Sequence, residues 1–133
     1  MEIIERIDRW GKTTPDRPAY TSGGRTLTYG DLCRRSDVLA AHLACSLPEK
    51  APVVVLGHKE LELLIAYLGV IKSGRAYVPV DTAVPPQRIE RITAASGAAL
   101  VLSPAEITKL SDGREPAPPW RLGKDDHYYI MFT

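Results

Sequence analysis

Apolar positions recur along the chain in two rhythms, helical spacing and continuous β-branched runs. Over residues 2–12, Ile3, Ile4, Ile7 and Trp10 fall at i, i+1, i+4 and i+7, which predicts an amphipathic helix. Gly11 and then Pro15 end it. Residues 19–22 and 25–28 are short β-prone runs around Gly23-Gly24 and predict a β-hairpin. Thr28 then reads as a helix N-cap, with acidic Asp31 placed as a capping box prefers. That helix reaches to about Ser46, with Leu32, Ser36, Leu39 and Leu43 on one face.

From residue 52 the texture changes. Pro52-Val53-Val54-Val55-Leu56-Gly57 is an unbroken apolar run, the mark of a parallel strand covered on both faces. Residues 60–73 predict a helix, with Leu61, Leu64, Ile65, Leu68 and Ile71 in helical spacing and Gly74 just past its end. Residues 76–80 predict a second strand that frays or stops at Pro79, which has no N–H for a ladder. A helix opening at Pro85-Pro86 turns Ile89, Ile92 and Thr93 inward and closes at Ser96-Gly97. A third strand over 98–102 and a short helix over 104–109 follow. This β-α-β-α-β order predicts an α/β fold, a parallel sheet with helices on both faces, preceded by a helix and a hairpin. Residues 111–127, with Pro116, Pro118 and Pro119, read as a surface loop. The chain closes on a β-prone run, Tyr128-Tyr129-Ile130-Met131-Phe132-Thr133, which predicts an N-terminal piece of a longer protein.

Composition narrows the function. At 133 residues the chain is one domain or one lobe, long enough to bury about two-thirds of its unfolded surface. Lys and Arg number 17 against 16 Asp and Glu, without the basic surplus of a nucleic-acid binder. The longest apolar stretches, residues 51–57 and 63–71, are too short to span a bilayer. Met1-Glu2-Ile3-Ile4-Glu5-Arg6 lacks a basic signal-peptide start, and the expectation is a cytoplasmic protein without membrane insertion.

The common chemical signatures are absent: no phosphate-binding P-loop, no dinucleotide fingerprint and no nucleophile elbow occurs. His42, His58 and His127 share no metal-ligand spacing with the cysteines, so a zinc site is not expected. Cys33 and Cys45 sit 12 residues apart on one predicted helix. That is ~18 Å, beyond a disulfide's reach, and both are expected as core or half-buried thiols. Gly57-His58 and Asp81 stand just past predicted strand ends, where parallel sheets carry functional groups. The plain alternatives are a first loop residue for His58 and a carboxylate capping the next turn for Asp81.

Three segments carry a resemblance. Leu27-Thr28-Tyr29-Gly30-Asp31-Leu32 resembles the first core motif of the adenylate-forming enzymes, L-[TS]-Y-x-[ED]-L. Residues 71–81, Ile-Lys-Ser-Gly-Arg-Ala-Tyr-Val-Pro-Val-Asp, resemble the second, [LI]-K-[AS]-G-x-A-Y-[VIL]-P-[LVI]-D. Residues 128–133 resemble the strand that leads into the Gly-rich third motif. Within that superfamily, Ser36-Asp37-Val38-Leu39-Ala40, Gly57-His58 and residues 81–92 resemble the D-alanine-activating branch.

The resemblance implies the N-terminal part of an AMP-binding adenylation domain, residues 1–133, cut at the start of the phosphate-binding loop. It implies a reaction that uses Mg and ATP to turn D-alanine into D-alanyl-AMP. The acyl group then passes to the phosphopantetheine thiol of a D-alanyl carrier protein, for teichoic acids of the cell wall. The partners implied are D-alanine, that carrier protein and the remaining lobes of the enzyme. Thr133 matches the first threonine of the phosphate loop and is the one residue assigned to ATP; no catalytic and no metal residue is assigned. Tyr29, Gly74, Pro79 and Asp81 are implied as structural: Tyr29 packing the second helix on the sheet, Gly74 ending a helix tightly, the other two shaping a turn. His58 is left between a lobe contact and a plain loop residue. Two alternatives stay open: an adenylation domain of a peptide synthetase or acyl-CoA ligase, and a stand-alone α/β module that binds a partner.

Overall fold

The computed structural model describes residues 2–48 and 50–112. Helix α1 (Glu2–Thr13) is followed by strands β1 (Pro18–Ser22) and β2 (Arg25–Thr28) and by helix α2 (Tyr29–Ser46). Then come β3 (Val53–Gly57), α3 (Leu61–Lys72), β4 (Tyr77–Asp81), α4 (Pro86–Ser96), β5 (Leu100–Leu102) and α5 (Pro104–Leu110). The β1–β2 hairpin is antiparallel, and both turn glycines have positive φ, 60° and 76°, as a two-residue type I′ turn demands. The other strands form a parallel sheet in the order β4-β3-β5.

Side chains of alternate strand residues point to opposite faces of the sheet, and two cores result. Val53, Val55 and Leu102 pack with Leu39 of α2, Ile65 of α3 and Ile107 of α5. Val54, Val78 and Val80 pack with Ile92 of α4 on the other side. Helices therefore cover both faces, as the order of elements predicts. Helix α3 is apolar nearly all round and lies between the sheet and α2, so it is buried on most sides. Its face Leu61, Ile65, Leu68 and Lys72 is continuous at 3–4 residue spacing, so the last member of a buried stripe is a lysine.

Local chemistry explains where the elements stop. Thr28 Oγ1 accepts from the Asp31 N–H at 3.2 Å, the predicted cap of α2. Ser103 caps α5 in the same way. Helices α3 and α4 end on paired Schellman bonds: Gly74 N–H to Ile71 O with Arg75 N–H to Val70 O, and Gly97 N–H to Ala94 O with Ala98 N–H to Thr93 O. Each turns the chain directly toward a strand.

Three expectations need correction. Strand β4 does not end at Pro79 but runs on to Asp81, with Pro79 opposite Val55. The Val53 N–H bonds Ala76 O at 3.0 Å. Alternation from there turns the Pro79 nitrogen away from β3, where the missing donor costs the ladder nothing. On α1 only Ile4 is buried, while Ile3 and Trp10 are 62% and 44% exposed, so the inner face is narrower than the spacing suggests. Cys45 is exposed and only Cys33 is half-buried. The run 128–133 and the loop beyond residue 112 lie outside the described residues.

Helices α2 and α3 approach closely at Gly69, where an added Cβ would lie 2.8 Å from Leu39 Cδ2 and 3.0 Å from its Cβ. Gly69→Ala is expected to destabilise the fold by about 1–3 kcal/mol through overpacking. A lowered urea midpoint with unchanged slope checks it.

Candidate functional site

The chain reaches the C-terminal mouth of the sheet at Gly57 on β3 and Asp81 on β4. From β3 it turns to α3 on one face, and from β4 to α4 on the other. Adjacent strands whose connections leave in opposite directions open a crevice between them, the position where open α/β sheets place ligands. Here the crevice is about 360 Å³, lined by Gly57, His58, Tyr67, Asp81, Val84 and Arg88 among others. A second cleft of about 190 Å³ shares His58 and Tyr67 and adds Tyr20, Leu63 and Leu64.

The structure brings His58 and Asp81 together. His58 Nδ1 lies 2.9 Å from Asp81 Oδ2. A carboxylate only accepts, so Nδ1 is the protonated nitrogen in this pair. The other Asp81 oxygen accepts the Ala83 N–H at 2.8 Å, the turn-capping role expected of it. This backbone bond, and then the bond from His58, hold the Asp81 carboxyl below the usual carboxylate range. The His58 N–H donates to Glu60 Oε2 at 2.8 Å. The next carbonyl, Lys59 O, accepts from Ser22 Oγ at 2.8 Å and from the Tyr20 hydroxyl at 3.4 Å, so the hairpin braces the His58 loop. Arg25 adds an ion pair to buried Glu62 at 2.9 Å. An imidazole held at Nδ1 by a carboxylate can take or give a proton at Nε2. Both side chains are about half exposed, so the pair meets solvent or a ligand at this mouth.

A second polar cluster was not singled out by the sequence. The Lys72 ammonium is wholly buried and donates to Asp8 Oδ1 at 2.9 Å, Asp37 Oδ1 at 2.8 Å and Ser36 Oγ at 3.0 Å. The lysine of the Lys-Ser-Gly motif thus meets the Ser-Asp pair of α2, and two resembling segments prove to be one contact. The available signal was Lys72 in phase with Leu61, Ile65 and Leu68. Arg75 is also buried, its guanidinium donating to the carbonyls of Leu47 and Pro48, each at 2.9 Å, at the negative end of α2. The ring contact of Tyr29 is with Trp10 of α1, centroids 5.3 Å apart, where packing on the sheet was expected.

Thr133 lies outside the described residues. Among the described residues no group of three His, Cys, Asp or Glu side chains is placed to hold a metal ion. No Gly-rich phosphate loop lies among them either, so these residues do not by themselves fit Mg and ATP. Among them, too, no helix is long and apolar enough to cross a membrane.

Residues 7–118 match the family model described as AMP-binding enzyme. The chain is 40% identical to a D-alanine--D-alanyl carrier protein ligase of Listeria welshimeri, over 98% of this chain and 30% of that protein. It is 35% identical to the ligase of the same name from Bacillus mycoides, over 100% of this chain and 30% of that one. The chain therefore spans about a third of the length of these curated relatives. Among solved structures, a nonribosomal peptide synthetase, FmoA3, with AMPPNP bound superposes with a TM-score of 0.83 at 26% identity, covering 98% of this chain and 16% of that one. An artificially fused adenylation–PCP di-domain from Klebsiella oxytoca, NpsA-ThdA, gives 0.82 at 26% identity, covering 98% of this chain and 28% of the other.

The depressed Asp81 carboxyl supplies folding stability that is present above the ordinary carboxylate range and lost as the pH falls below it. His58→Gln is expected to raise the Asp81 titration midpoint. The midpoint stays below the free-carboxyl value, because the Ala83 N–H remains. Carboxyl-carbon NMR titration of both proteins reads the shift directly.

Proposed function

Because the chain belongs to the AMP-binding enzyme family, we propose that it is the N-terminal part of an ATP-dependent, AMP-forming ligase that activates D-alanine. The substrate carboxylate oxygen attacks the α-phosphorus of ATP, the bond to pyrophosphate breaks, and D-alanyl-AMP forms. The thiol of a carrier protein's phosphopantetheine then attacks the acyl carbon, a thioester forms, and AMP and the thiol proton leave. Mg, when bound with ATP, neutralises charge on the phosphates. The product would feed teichoic acid D-alanylation from the cytoplasm.

The observation that supports this reading is the alignment of essentially the whole chain with ligases of that name at 35–40% identity, against 26% for the peptide-synthetase structures. Within the proposal, residues 1–132 are scaffold. Ser36, Asp37 and Lys72 fix α2 against α3, and Thr133 is proposed as the first ATP contact. No chemical step is placed on a described side chain.

The test is ATP–pyrophosphate exchange. A protein carrying this chain together with the remaining two-thirds of a family enzyme is expected to exchange with D-alanine, and the 133-residue chain alone to stay at background. Exchange driven by another amino acid or by a fatty acid would move the assignment to a peptide-synthetase or acyl-CoA branch. Exchange by the chain alone would refute the scaffold reading.

A further inference from the structure

Helix α1 is fastened by few contacts. Ile4 is its one buried side chain, Ile7 packs partly, Ile3 faces outward, and the half-exposed Trp10 makes an edge-on ring contact with Tyr29 on α2. Its polar anchor is the partly buried Asp8, which accepts from the buried Lys72 ammonium. Beneath the helix lies Cys33, whose thiol donates to the Ile7 carbonyl at 3.3 Å. The backbone at Gly11 passes so close that a Cβ there would collide with the sulfur. Burial first, with the carboxylates of Asp8 and Asp37 adding, pushes the Cys33 thiol up to about 11.

The anchor is asymmetric. If α1 lifts, Asp8 passes to water, and Lys72 keeps Asp37 and Ser36, both carried by α2. The buried ammonium is never stranded, which is the event that makes breaking a buried pair expensive. Lifting α2 instead would take away two of the three acceptors. Segments with few buried apolar contacts open locally, below the free energy of global unfolding.

We propose that α1 is a releasable strap. It lifts as a unit while α2, α3 and the sheet stay folded, the Asp8–Lys72 contact sets how often it does so, and each opening uncovers the Cys33 thiol.

The experiment labels the 133-residue chain carrying Cys45→Ser with 5,5′-dithiobis(2-nitrobenzoate). The Cys33 thiolate attacks the reagent disulfide, a mixed disulfide forms, and one thionitrobenzoate is released for each strap opening that is trapped. Labelling is followed across urea concentrations below the global transition, itself measured by circular dichroism. The expected result is labelling at least ~10-fold faster than global unfolding allows, with a shallower urea dependence. Asp8→Asn is expected to speed it a further ~3–10-fold, since a neutral amide holds the ammonium less well. Labelling that follows global unfolding in rate and urea slope overturns the proposal, as do labelling with no urea dependence, the mark of attack on the half-buried thiol with α1 in place, and an Asp8→Asn rate equal to the parent's. Should Asp8→Asn fail to fold, amide hydrogen exchange on the parent chain decides: α1 amides exchanging through a smaller opening than those of α3 support the strap, and a shared opening sinks it.

Discussion

The Lys72 ammonium has no water to turn to, so its acceptors must be protein, and each one fixes a piece of backbone. Asp8 fixes α1, and Ser36 and Asp37 fix α2, against the last residue of α3. A buried ion cluster adds little net stability over a well-packed apolar replacement, and the large cost comes only when the charge is left with no partner at all. Its effect is therefore on arrangement more than on total stability. Lys72 also stands just before the turn through Gly74 that starts β4, so the cluster fixes where that strand begins.

Arg75 works alongside it from the other side of that turn. Its guanidinium takes the Leu47 and Pro48 carbonyls, which the end of α2 leaves without helical partners. Two cations bracketing one glycine thus hold both the body and the end of α2. The second resembling motif is, physically, a helix end with a cation on each side and a strand after it.

Most of the architecture was legible because local chemistry agreed with the packing. The Thr28 cap, the Gly-Gly hairpin, the glycine helix ends and the β-branched strands each announce themselves over a few residues. What was not legible depends on relations between distant segments. His58 and Asp81 were each noted as strand-end residues, but their contact follows only from the register that sets Gly57 beside Asp81. Nothing local ties Lys72 to Asp8 and Asp37, because those acceptors arrive on α1 and α2 from 64 and 35 residues away along the chain. The outward turn of Ile3 could not be read from spacing, since spacing defines a stripe but not how much of it a neighbour covers. Pro79 misled because its nitrogen's direction depends on which side of β4 the neighbouring strand takes.

That direction also gives the sheet a handed edge. Among the described residues β4 is an edge strand, and its outer side presents a row of backbone groups with a gap in its middle, where Pro79 offers no N–H. A strand approaching from that side meets an interrupted ladder, the device by which natural sheets discourage unwanted edge-to-edge association. The far side of β5 carries no such interruption within Leu100–Leu102. A single imino acid thus makes the two flanks of the described sheet unequal as templates for any further strand.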